Sequence, residues 1–392
     1  MTYNFYAKRD TYEEDHYAFR DMVRAYLDRH VVDNITKWES DNDIPRDAIH
    51  AAGEQGLMSV SVDEAYGGAG IDDYRFRQIA IEEFARVGAT SLASALGTHT
   101  DIVVPYFEHL GTDEQKQRWL PKLASGEWLA AIAMTEPGAG SDLRGIRTTA
   151  VRDGDDWVIN GSKTFITNGM HAHLIVVAAR TPDDAHPKGG GYTLFVVEDD
   201  REGFSRGRRL EKVGMHAQDT AELAFENVRI PDENRLSEVH TGLHELMSHL
   251  PLERLSIAVT AAAGARAALN WTVDYINERR AFGQAIADFQ NTQFQIADMV
   301  TRLEVTQSYV DDCVAKHNRG ELTPVDAAKA KWWATETHKD IVDRCLQLFG
   351  GYGYMLEYPI ARAFCDTRVT TIYGGTTEIM KMLIARDVLG TK

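Results

Sequence analysis

The hydrophobic period of this chain of 392 residues changes twice along its length. Up to about residue 128, apolar residues recur at helical spacing. Between about residues 129 and 240, short runs of β-type residues are separated by turn residues, which is typical of strands. The helical spacing then returns and continues to the end. The order predicts a mainly α chain with a central β domain, divided into an N-terminal helical domain (1–128), a middle β domain (129–240) and a C-terminal four-helix bundle (241–392).

The periodicity also predicts the individual elements. The predicted helices are Thr11–Val32, Pro45–Gly56, Tyr74–Val87, Ser91–Leu110, Asp113–Leu123, Leu252–Ile276, Thr292–Asn318, Val325–Phe349 and Thr376–Leu389. A hairpin is predicted to turn at Asn160-Gly161, because this pair of residues favours tight turns. The other predicted strands are Leu174–Ala179, Tyr192–Val197 and Leu223–Asn227, with an exposed loop over Arg180–Gly191.

Composition indicates a globular protein of the reduced interior of a cell. Hydrophobic residues make up 44% of the chain and charged residues 26%, which is ordinary for a globular protein. No apolar run approaches the roughly 18 residues of a membrane span, and the first ten residues lack the apolar core of a signal peptide. Cys313, Cys345 and Cys365 cannot all pair and do not have the spacing of metal ligands. We therefore expect a cytoplasmic protein without a metal site or an integral membrane segment.

The net charge of −17 argues against nucleic acid as a partner, because a nucleic-acid-binding surface needs an excess of basic residues. One local cluster of basic residues lies in the middle of the chain. It is either a site for an anionic ligand or a solvated loop, and it consists of Arg206, Arg208, Arg209 and Lys212.

The segment Thr135–Asp142 is a tight turn rich in Gly and hydroxyl groups. Pro137, Gly138 and Gly140 favour a loop that exposes its backbone N–H groups, and the loop follows the apolar run Leu129–Met134. Bare N–H groups beside hydroxyls suit a ligand with many carbonyl and phosphate oxygens. By itself the segment is either an ordinary surface turn or part of a binding site.

Five motifs together resemble the acyl-CoA dehydrogenase family over essentially the whole chain. The motifs are Ala133–Asp142, Asn160–Gly169, Glu278–Gly283, Gln347–Gly353 and Ile372–Glu378. Each motif is weak alone, but five in this order are specific. The resemblance implies a β-barrel-like middle domain, non-covalent FAD, an acyl-CoA substrate, an electron-transfer flavoprotein as electron acceptor and a homotetramer built as a dimer of dimers. The last motif looks most like the long-chain and isovaleryl-type members.

The resemblance also assigns the cofactor site. Thr135 would bond the isoalloxazine edge, and Ser141 would lie between the cofactor phosphates and the pantetheine arm of the substrate. Phe165 would pack on the flavin at a position where many relatives have Trp, although a lone Phe is more often a core residue. The remaining residues assigned to FAD are Ile132, Met134, Gly140, Ile166, Thr167, Arg279, Phe282, Phe289, Gln290, Gln347, Leu348, Gly350, Gly351, Thr376 and Glu378.

Part of this set would hold the adenosine diphosphate of a neighbouring subunit's cofactor. Arg279 suits a diphosphate because its guanidinium donates two parallel charge-assisted hydrogen bonds. Phe282 and Gln290 would join it, together with Gln347, Gly350 and Gly351. Gly350 and its neighbours are equally typical of a turn that ends a helix.

The base of the implied reaction is displaced from its commonest position. Many relatives have Glu in a Tyr-Glu-Gly motif, but this chain has Gly374 there. The isovaleryl-type and long-chain members place the base on another helix, in a stretch similar to Leu250–Leu255, which assigns the role to Glu253. If a helix begins near Pro251, its dipole would lower the pKa of Glu253 while burial would raise it, and the sequence leaves the balance open.

The same resemblance assigns the substrate contacts. The backbone N–H of Gly374 would bond the thioester oxygen together with a flavin ribityl hydroxyl. Tyr373 and Gly375 would line the acyl site, and Ser141 would contact the pantetheine arm. Arg254 would lie near the CoA moiety, with a surface ion pair as the alternative.

Three functions remain open at this point. The first is α,β-dehydrogenation of an acyl-CoA to the trans-2-enoyl-CoA, an oxidation of a CH–CH group as in fatty acid β-oxidation, with Glu253 as base and hydride transfer to flavin N5. The second is a flavin oxidase or monooxygenase on the same scaffold. The third is a non-catalytic CoA-binding subunit.

Overall fold

A computed structural model of the chain describes residues 3–183, 185 and 190–391. Its elements follow the predicted order of helices, strands and helices. The first helices are α1 (Glu14–His30), α2 (Ile35–Asp41), α3 (Arg46–Glu54), α4 (Tyr74–Arg86), α5 (Thr90–Gly97), α6 (Val104–Leu110) and α7 (Asp113–Ala124). The predicted domain limits stay predictions.

The helix predicted over Ser91–Leu110 is wrong in one respect. A π-helical turn, Thr98–Val103, separates α5 from α6. Asp101 in this turn accepts hydrogen bonds from Arg77 Nε (2.6 Å) and Ser256 Oγ (2.7 Å). These bonds to two other helices hold the widened turn, and π-turns occur frequently at functional sites.

The middle of the chain forms one curled seven-stranded sheet. The strands are β1 (Ala130–Ala133), β2 (Thr149–Asp153), β3 (Asp156–Thr167), β4 (Leu174–Pro182), β5 (Gly190–Glu198), β6 (Phe204–Arg209) and β7 (Thr220–Pro231). Their order is β1-β4-β2-β3-β7-β6, and β5 pairs with β4. Most of the predicted loop between β4 and β5 lies outside the described residues.

The predicted turn at Asn160-Gly161 is wrong, because β3 runs through it as one strand of 12 residues. Its register with β7 shifts at this point. A Cβ on Gly161 would lie 2.4 Å from Thr148 Oγ1, so the glycine serves a close approach of two strands rather than a turn. The actual hairpin joins β2 to β3 through Gly154.

The basic cluster predicted as a candidate anion site is largely used in structural bonds. Arg206 donates to the carbonyls of Gly169 (3.1 Å) and Ala172 (2.7 Å). Arg209 donates to the carbonyl of Ala217 and pairs with Asp43 at 3.3 Å. Arg206 and Arg209 therefore tie β6 to its neighbouring loops, whereas the Arg208 side chain is exposed and lies 3.9 Å from Glu222.

Long helices form the last part of the chain. They are α8 (Gly242–Glu278), α9 (Gln290–Asn318), α10 (Pro324–Phe349), α11 (Pro359–Thr367) and α12 (Thr377–Leu389), with a two-residue hairpin β8–β9 (Arg280–Ala281 and Gln284–Ala285) after α8. Helix α8 packs along α9 and α10, and α10 packs on α12. Helix α8 begins ten residues before the predicted Leu252, and Pro251 lies inside it rather than near its start.

None of the helices in the described part of the chain has both the length and the hydropathy that a membrane span requires.

Candidate active site

Glu253 lies about three turns into α8 and is buried, with 4% of its surface exposed. The hydroxyl of Tyr106 on α6 donates to its Oε1 at 3.3 Å. The Tyr106 ring is itself fully buried and stacks on His249, with 4.1 Å between the ring centres. A carboxylate in this setting has one fixed hydrogen bond and little solvent, so it is oriented and poorly solvated.

Burial raises the pKa of Glu253 to about 7, although the Tyr106 hydrogen bond and the charge of Arg254 oppose the shift. The dipole of a helix acts mainly within its first turn, and Glu253 is well past the first turn of α8. Burial therefore outweighs the helix dipole in its effect on the pKa of Glu253, a balance that the sequence left open. A carboxylate with a pKa near neutrality can both take and release a proton under ordinary conditions.

A cavity of about 100 Å³ opens beside Glu253 between α5 and α8. Its lining includes Tyr373 and Ile257, and it continues to residues of α10 and α11. A titratable carboxylate in the wall of such a cavity is a candidate general base. The place of Glu253 in the cavity wall favours a reactive role for this carboxylate over a purely structural one.

The loop Tyr373–Gly375 lies against the same stretch of α8. The φ angles of Gly374 and Gly375 are +63° and +95°, a region that favours glycine. Arg254 Nε donates to the Gly374 carbonyl (3.3 Å), and the buried Lys331 Nζ donates to the Gly375 carbonyl (2.7 Å). The N–H of Gly374 has no hydrogen-bonding partner among the described residues. An oriented N–H beside a cavity can bind a developing negative charge on oxygen.

A second group of predicted residues meets where β1 ends beside β3. Thr164 N donates to the carbonyl of Thr135 at 2.9 Å. The side chain of Lys163, fully buried, donates to the carbonyl of Met134 (3.1 Å) and to Glu136 Oε1 (2.9 Å). These bonds join the loop after β1, with Ile132, Met134, Thr135, Gly140 and Ser141, to the stretch of β3 that carries Phe165, Ile166 and Thr167.

Glu136 is a structural carboxylate. It accepts hydrogen bonds from the backbone N–H groups of Arg147 (2.7 Å) and Thr148 (2.9 Å) in addition to Lys163. Although burial opposes it, these bonds hold the pKa of Glu136 below its ordinary value. Asp142 similarly accepts from the N–H of Arg144. Both carboxylates shape the loop and leave Glu253 as the candidate base.

Phe165 combines an exposed ring with an unusual backbone conformation. Its φ is +59°, which is uncommon for a bulky residue, and 68% of its surface is exposed. Ile166 beside it is buried in the sheet core. Nothing lies within 4 Å of where a side chain on Gly138 or Gly140 would begin, so the facing loop leaves room for a ligand.

A third group of predicted residues gathers at the far end of α8. The Arg279 guanidinium lies 5.4 Å from the ring centre of Tyr352, and Phe282 packs edge-on against Phe289 at 6.4 Å. Phe282 is 97% exposed. Arg279 is about 39 Å from Glu253 along the axis of α8, at 1.5 Å per residue. One chain therefore brings these residues together but keeps them away from Glu253.

The other predicted cofactor residues lie at helix ends. Gln290 begins α9, Gln347 and Leu348 lie in the last turn of α10, and Gly350 and Gly351 form the 3-10 turn that follows. Thr376 caps α12, where its hydroxyl accepts from the N–H of Ile379 (3.4 Å), and Glu378 lies in the first turn of that helix. Helix ends of this kind offer free backbone groups to a ligand.

Three residues that sequence reasoning did not single out contribute to these groups. Tyr106 contacts Glu253, Lys163 joins β3 to the loop after β1, and Lys331 donates to the Gly375 carbonyl. Burial lowers the pKa of both lysines to about 8. Tyr106 and Glu253 are far apart in sequence and no local pattern joins them, whereas a Lys within the strand pattern of β3 could have been noticed.

Family models match three consecutive parts of the chain. They are "Acyl-CoA dehydrogenase, N-terminal domain" over residues 13–127, "middle domain" over 131–228 and "C-terminal domain" over 240–389. The chain belongs to the acyl-CoA dehydrogenase family. The predicted family and fold class are thereby confirmed, and we place the chain among the flavoprotein oxidoreductases that act on acyl-CoA.

Individual acyl-CoA dehydrogenases agree with this assignment. The mitochondrial long-chain specific acyl-CoA dehydrogenase of Sus scrofa is 43% identical over 384 residues, covering 98% of this chain and 89% of the relative. The mitochondrial isovaleryl-CoA dehydrogenase of Solanum tuberosum is 35% identical over 379 residues, covering 96% and 91%. Both belong to the types that the sequence indicated.

Solved structures of acyl-CoA dehydrogenases superpose over nearly the whole chain. The acyl-CoA dehydrogenase of Geobacillus kaustophilus matches with a TM-score of 0.93 and 45% identity, covering 97% of this chain and all of that one. A glutaryl-CoA dehydrogenase of Mycobacterium smegmatis in complex with FADH2 matches with a TM-score of 0.91 and 28% identity, covering 97% and 96%.

Proposed function

We propose that this protein is an FAD-dependent dehydrogenase that introduces the α,β double bond into an acyl-CoA thioester, giving the trans-2-enoyl-CoA, with Glu253 as the base. The observation that carries the proposal is Glu253 itself, a buried carboxylate with a pKa of about 7 in the wall of a cavity. An apolar acyl chain in that cavity would exclude water and preserve the raised pKa.

The residues beside the sheet suit FAD. The exposed ring of Phe165, held at a positive φ, offers a flat surface to an isoalloxazine ring. Thr135 and Ser141 in the loop after β1, together with Ile166 and Thr167 next to Phe165 on β3, would supply the polar contacts. When bound, FAD supplies N5 as the acceptor of the hydride from the β-carbon.

The chain's own groups then act on the thioester. Glu253 takes the α-proton and holds it on a carboxyl oxygen. The free N–H of Gly374 donates to the thioester oxygen and stabilises the negative charge that develops there, a role often worth a few kcal/mol. Arg254 and Lys331, which hold the carbonyls of Gly374 and Gly375, keep that N–H directed at the substrate.

A second copy of the chain completes the cofactor site in this proposal. Arg279 and Phe282 lie about 39 Å along α8 from the base, too far to serve the same cofactor's reactive end. The nearly complete exposure of Phe282, and the exposure of Tyr354 and Leu356, are typical of surfaces that a partner covers. This supports a homotetramer arranged as a dimer of dimers, in which these residues hold the neighbouring subunit's adenosine diphosphate, and the external electron acceptor would be an electron-transfer flavoprotein.

The decisive test is anaerobic mixing of the flavin-loaded protein with acyl-CoA substrates. Wild-type protein should lose its yellow colour as the flavin is reduced. Glu253→Gln should retain flavin and bind the substrate but bleach at least a hundredfold more slowly, because general bases typically contribute that much.

Glu245→Gln is the matched control, since Glu245 lies two turns earlier on α8 and outside the cavity. It should bleach at the wild-type rate. Bleaching of Glu253→Gln at the wild-type rate would overturn the assignment of the base. Rapid reaction of the reduced protein with oxygen and no acyl-CoA turnover would favour an oxidase, and absence of bound flavin would favour a CoA-binding subunit.

A further inference from the structure

The cavity that starts at Glu253 extends well beyond the point where the α- and β-carbons of a substrate would lie. Helix α5 with the π-helical turn after it forms one side wall, with Ser94 and Thr98, and helix α8 forms the other, with Gly264. Gly264 is about 16 Å from Glu253 along the axis of α8. The residues that line the cavity therefore extend along α8 in the direction that a long acyl group would take from the reacting carbons.

The far part of this cavity contains a polar atom that lacks a partner. His338 on α10 is buried and bonds through Nδ1 to Thr367 Oγ1 at 2.8 Å. Its Nε2 has no hydrogen-bonding partner among residues 3–183, 185 and 190–391. A Cβ on Gly264 would lie 2.5 Å from Nε2, so only glycine at this position lets the ring edge reach the cavity wall.

Two further polar groups face the same space without a protein partner. The hydroxyls of Ser94 on α5 and Thr98 at the start of the π-helical turn form no side-chain hydrogen bond within the described part of the chain, and both residues line the cavity. A plain alkyl chain would leave the nitrogen Nε2 of the buried His338 without a partner and would cover these two partly exposed hydroxyls, which is unfavourable for polar groups.

The charge of the cavity restricts which polar group fits. No Lys or Arg is among the described residues that line it, whereas Asp366 lies in its wall. Burial lowers the pKa of His338 to about 4, so its ring is neutral at pH 7. A second carboxylate at the end of the acyl group would have no counter-charge there. A hydroxyl suits the site, because it can donate to or accept from His338 Nε2 in either tautomer of the ring.

We infer that the cavity selects acyl-CoA thioesters that carry a hydroxyl group in the distal half of a long acyl chain, and that His338 Nε2 binds this hydroxyl. The inference rests on the proposed acyl-CoA dehydrogenase function and names its substrate class. His338 touches the substrate far from the reacting carbons, so it determines specificity and takes no part in proton transfer.

The test compares three thioesters of equal chain length on the flavin-loaded protein: hexadecanoyl-CoA, its ω-hydroxy derivative and the hexadecanedioyl monothioester. The ω-hydroxy compound should show a kcat/KM for flavin reduction about tenfold above that of hexadecanoyl-CoA, which corresponds to one added buried hydrogen bond. The charged compound should be the poorest of the three.

Replacing His338 separates recognition from folding. His338→Leu should lower the ratio of kcat/KM for the ω-hydroxy compound to kcat/KM for hexadecanoyl-CoA about tenfold, while His338→Gln, which keeps a donor and an acceptor, should restore part of the preference. Equal rates for the hydroxylated and plain compounds in the wild type, or an equal loss for both in His338→Leu, would overturn the inference and leave the dehydrogenase assignment intact. Failure of every thioester to bleach the flavin would instead overturn the proposed function on which the inference rests.

Discussion

The phenol oxygen of Tyr106 lies 3.3 Å from Oε1 of Glu253, and no other side chain within the described residues hydrogen-bonds that carboxylate. The bond favours the charged form of Glu253 and so lowers its pKa, against the larger effect of burial. Tyr106 therefore lowers the pH at which the proposed base becomes ionised.

Tyr106→Phe should raise the pKa of Glu253 further. The rate of flavin reduction depends on ionised Glu253, so its rise with pH should shift to higher pH, by about one unit for loss of one hydrogen bond to a charged group. The variant should be slow at pH 6 and approach the wild-type rate near pH 9. Tyr26→Phe removes another buried hydroxyl, bonded to the Ala48 carbonyl, and should leave the profile unchanged. An unshifted profile in Tyr106→Phe would show that the bond does not act on the base.

Glu253→Gln should change the pH dependence of folding stability. Glu253 has a pKa of about 7 when folded and an ordinary value of 4.5. Its proton is held more tightly in the folded state, so its contribution favours folding fully below pH 4.5 and is lost as the pH rises through 7. Glutamine does not ionise, and the variant should gain stability over the wild type between about pH 5 and 8, by on the order of 3 kcal/mol. Denaturant unfolding at several pH values measures the difference, and Glu278→Gln, exposed on the same helix, is the control.

Lys163→Met should destabilise the protein and weaken flavin binding together. It leaves Glu136 buried without its cationic partner, which typically costs about 3 to 5 kcal/mol, and it breaks the bond to the Met134 carbonyl. Adding Glu136→Gln removes the unpaired charge and should recover part of the stability. Unfolding of the two single variants and the double variant gives the coupling free energy. If the losses of stability in the two single variants add up in the double variant, Lys163 and Glu136 do not stabilise the protein through each other.

Gly374→Ala should be destabilising for two separable reasons. The residue has a φ of +63°, which costs an L-residue roughly 1 to 2 kcal/mol. Its new Cβ would also lie 2.3 Å from Ile257 Cδ1. Ile257→Val deletes that atom and should relieve the second cost only, as measured by unfolding. Ile257→Ala removes the same atom and makes more room, so it should relieve the clash at least as well as Ile257→Val.

The same contact affects relocation of the base. A Glu at position 374 in the Glu253→Gln background should restore little flavin reduction while Ile257 blocks its side chain. Adding Ile257→Val should increase the restored rate. The same rate with and without the valine would mean that Ile257 moves freely and does not obstruct position 374.

The sequence predicts most helices of this protein because their apolar stripes are long and regular. It fails where tertiary contacts decide the local conformation. Asn160-Gly161 has the composition of a turn, but close packing against Thr148 keeps it inside β3. Pro251 resembles a helix start, but it lies inside α8 because the helix already extends from Gly242.

The candidate site, too, could be predicted from the sequence only in part. Glu253 could be assigned from the family resemblance together with the absence of a carboxylate at Gly374. Its pKa could not, because burial depends on residues far away in sequence. Tyr106 and His338 carry no local signal, since their importance comes only from what they face after folding.

The π-helical turn Thr98–Val103 sets the rotational register of everything that follows it on that helix. An α-helix turns by about 100° per residue, and a π-turn holds one residue more per turn. Deleting a single residue within this turn would let the segment close into a regular α-helix with little rotation of α6, because the widened turn absorbs that residue, whereas deleting one residue in the regular helix α5 before it would rotate α6 by about 100°. Tyr106 would then no longer reach Glu253. A change in length several residues away, which alters no group of the catalytic site, would therefore change the acidity of the base.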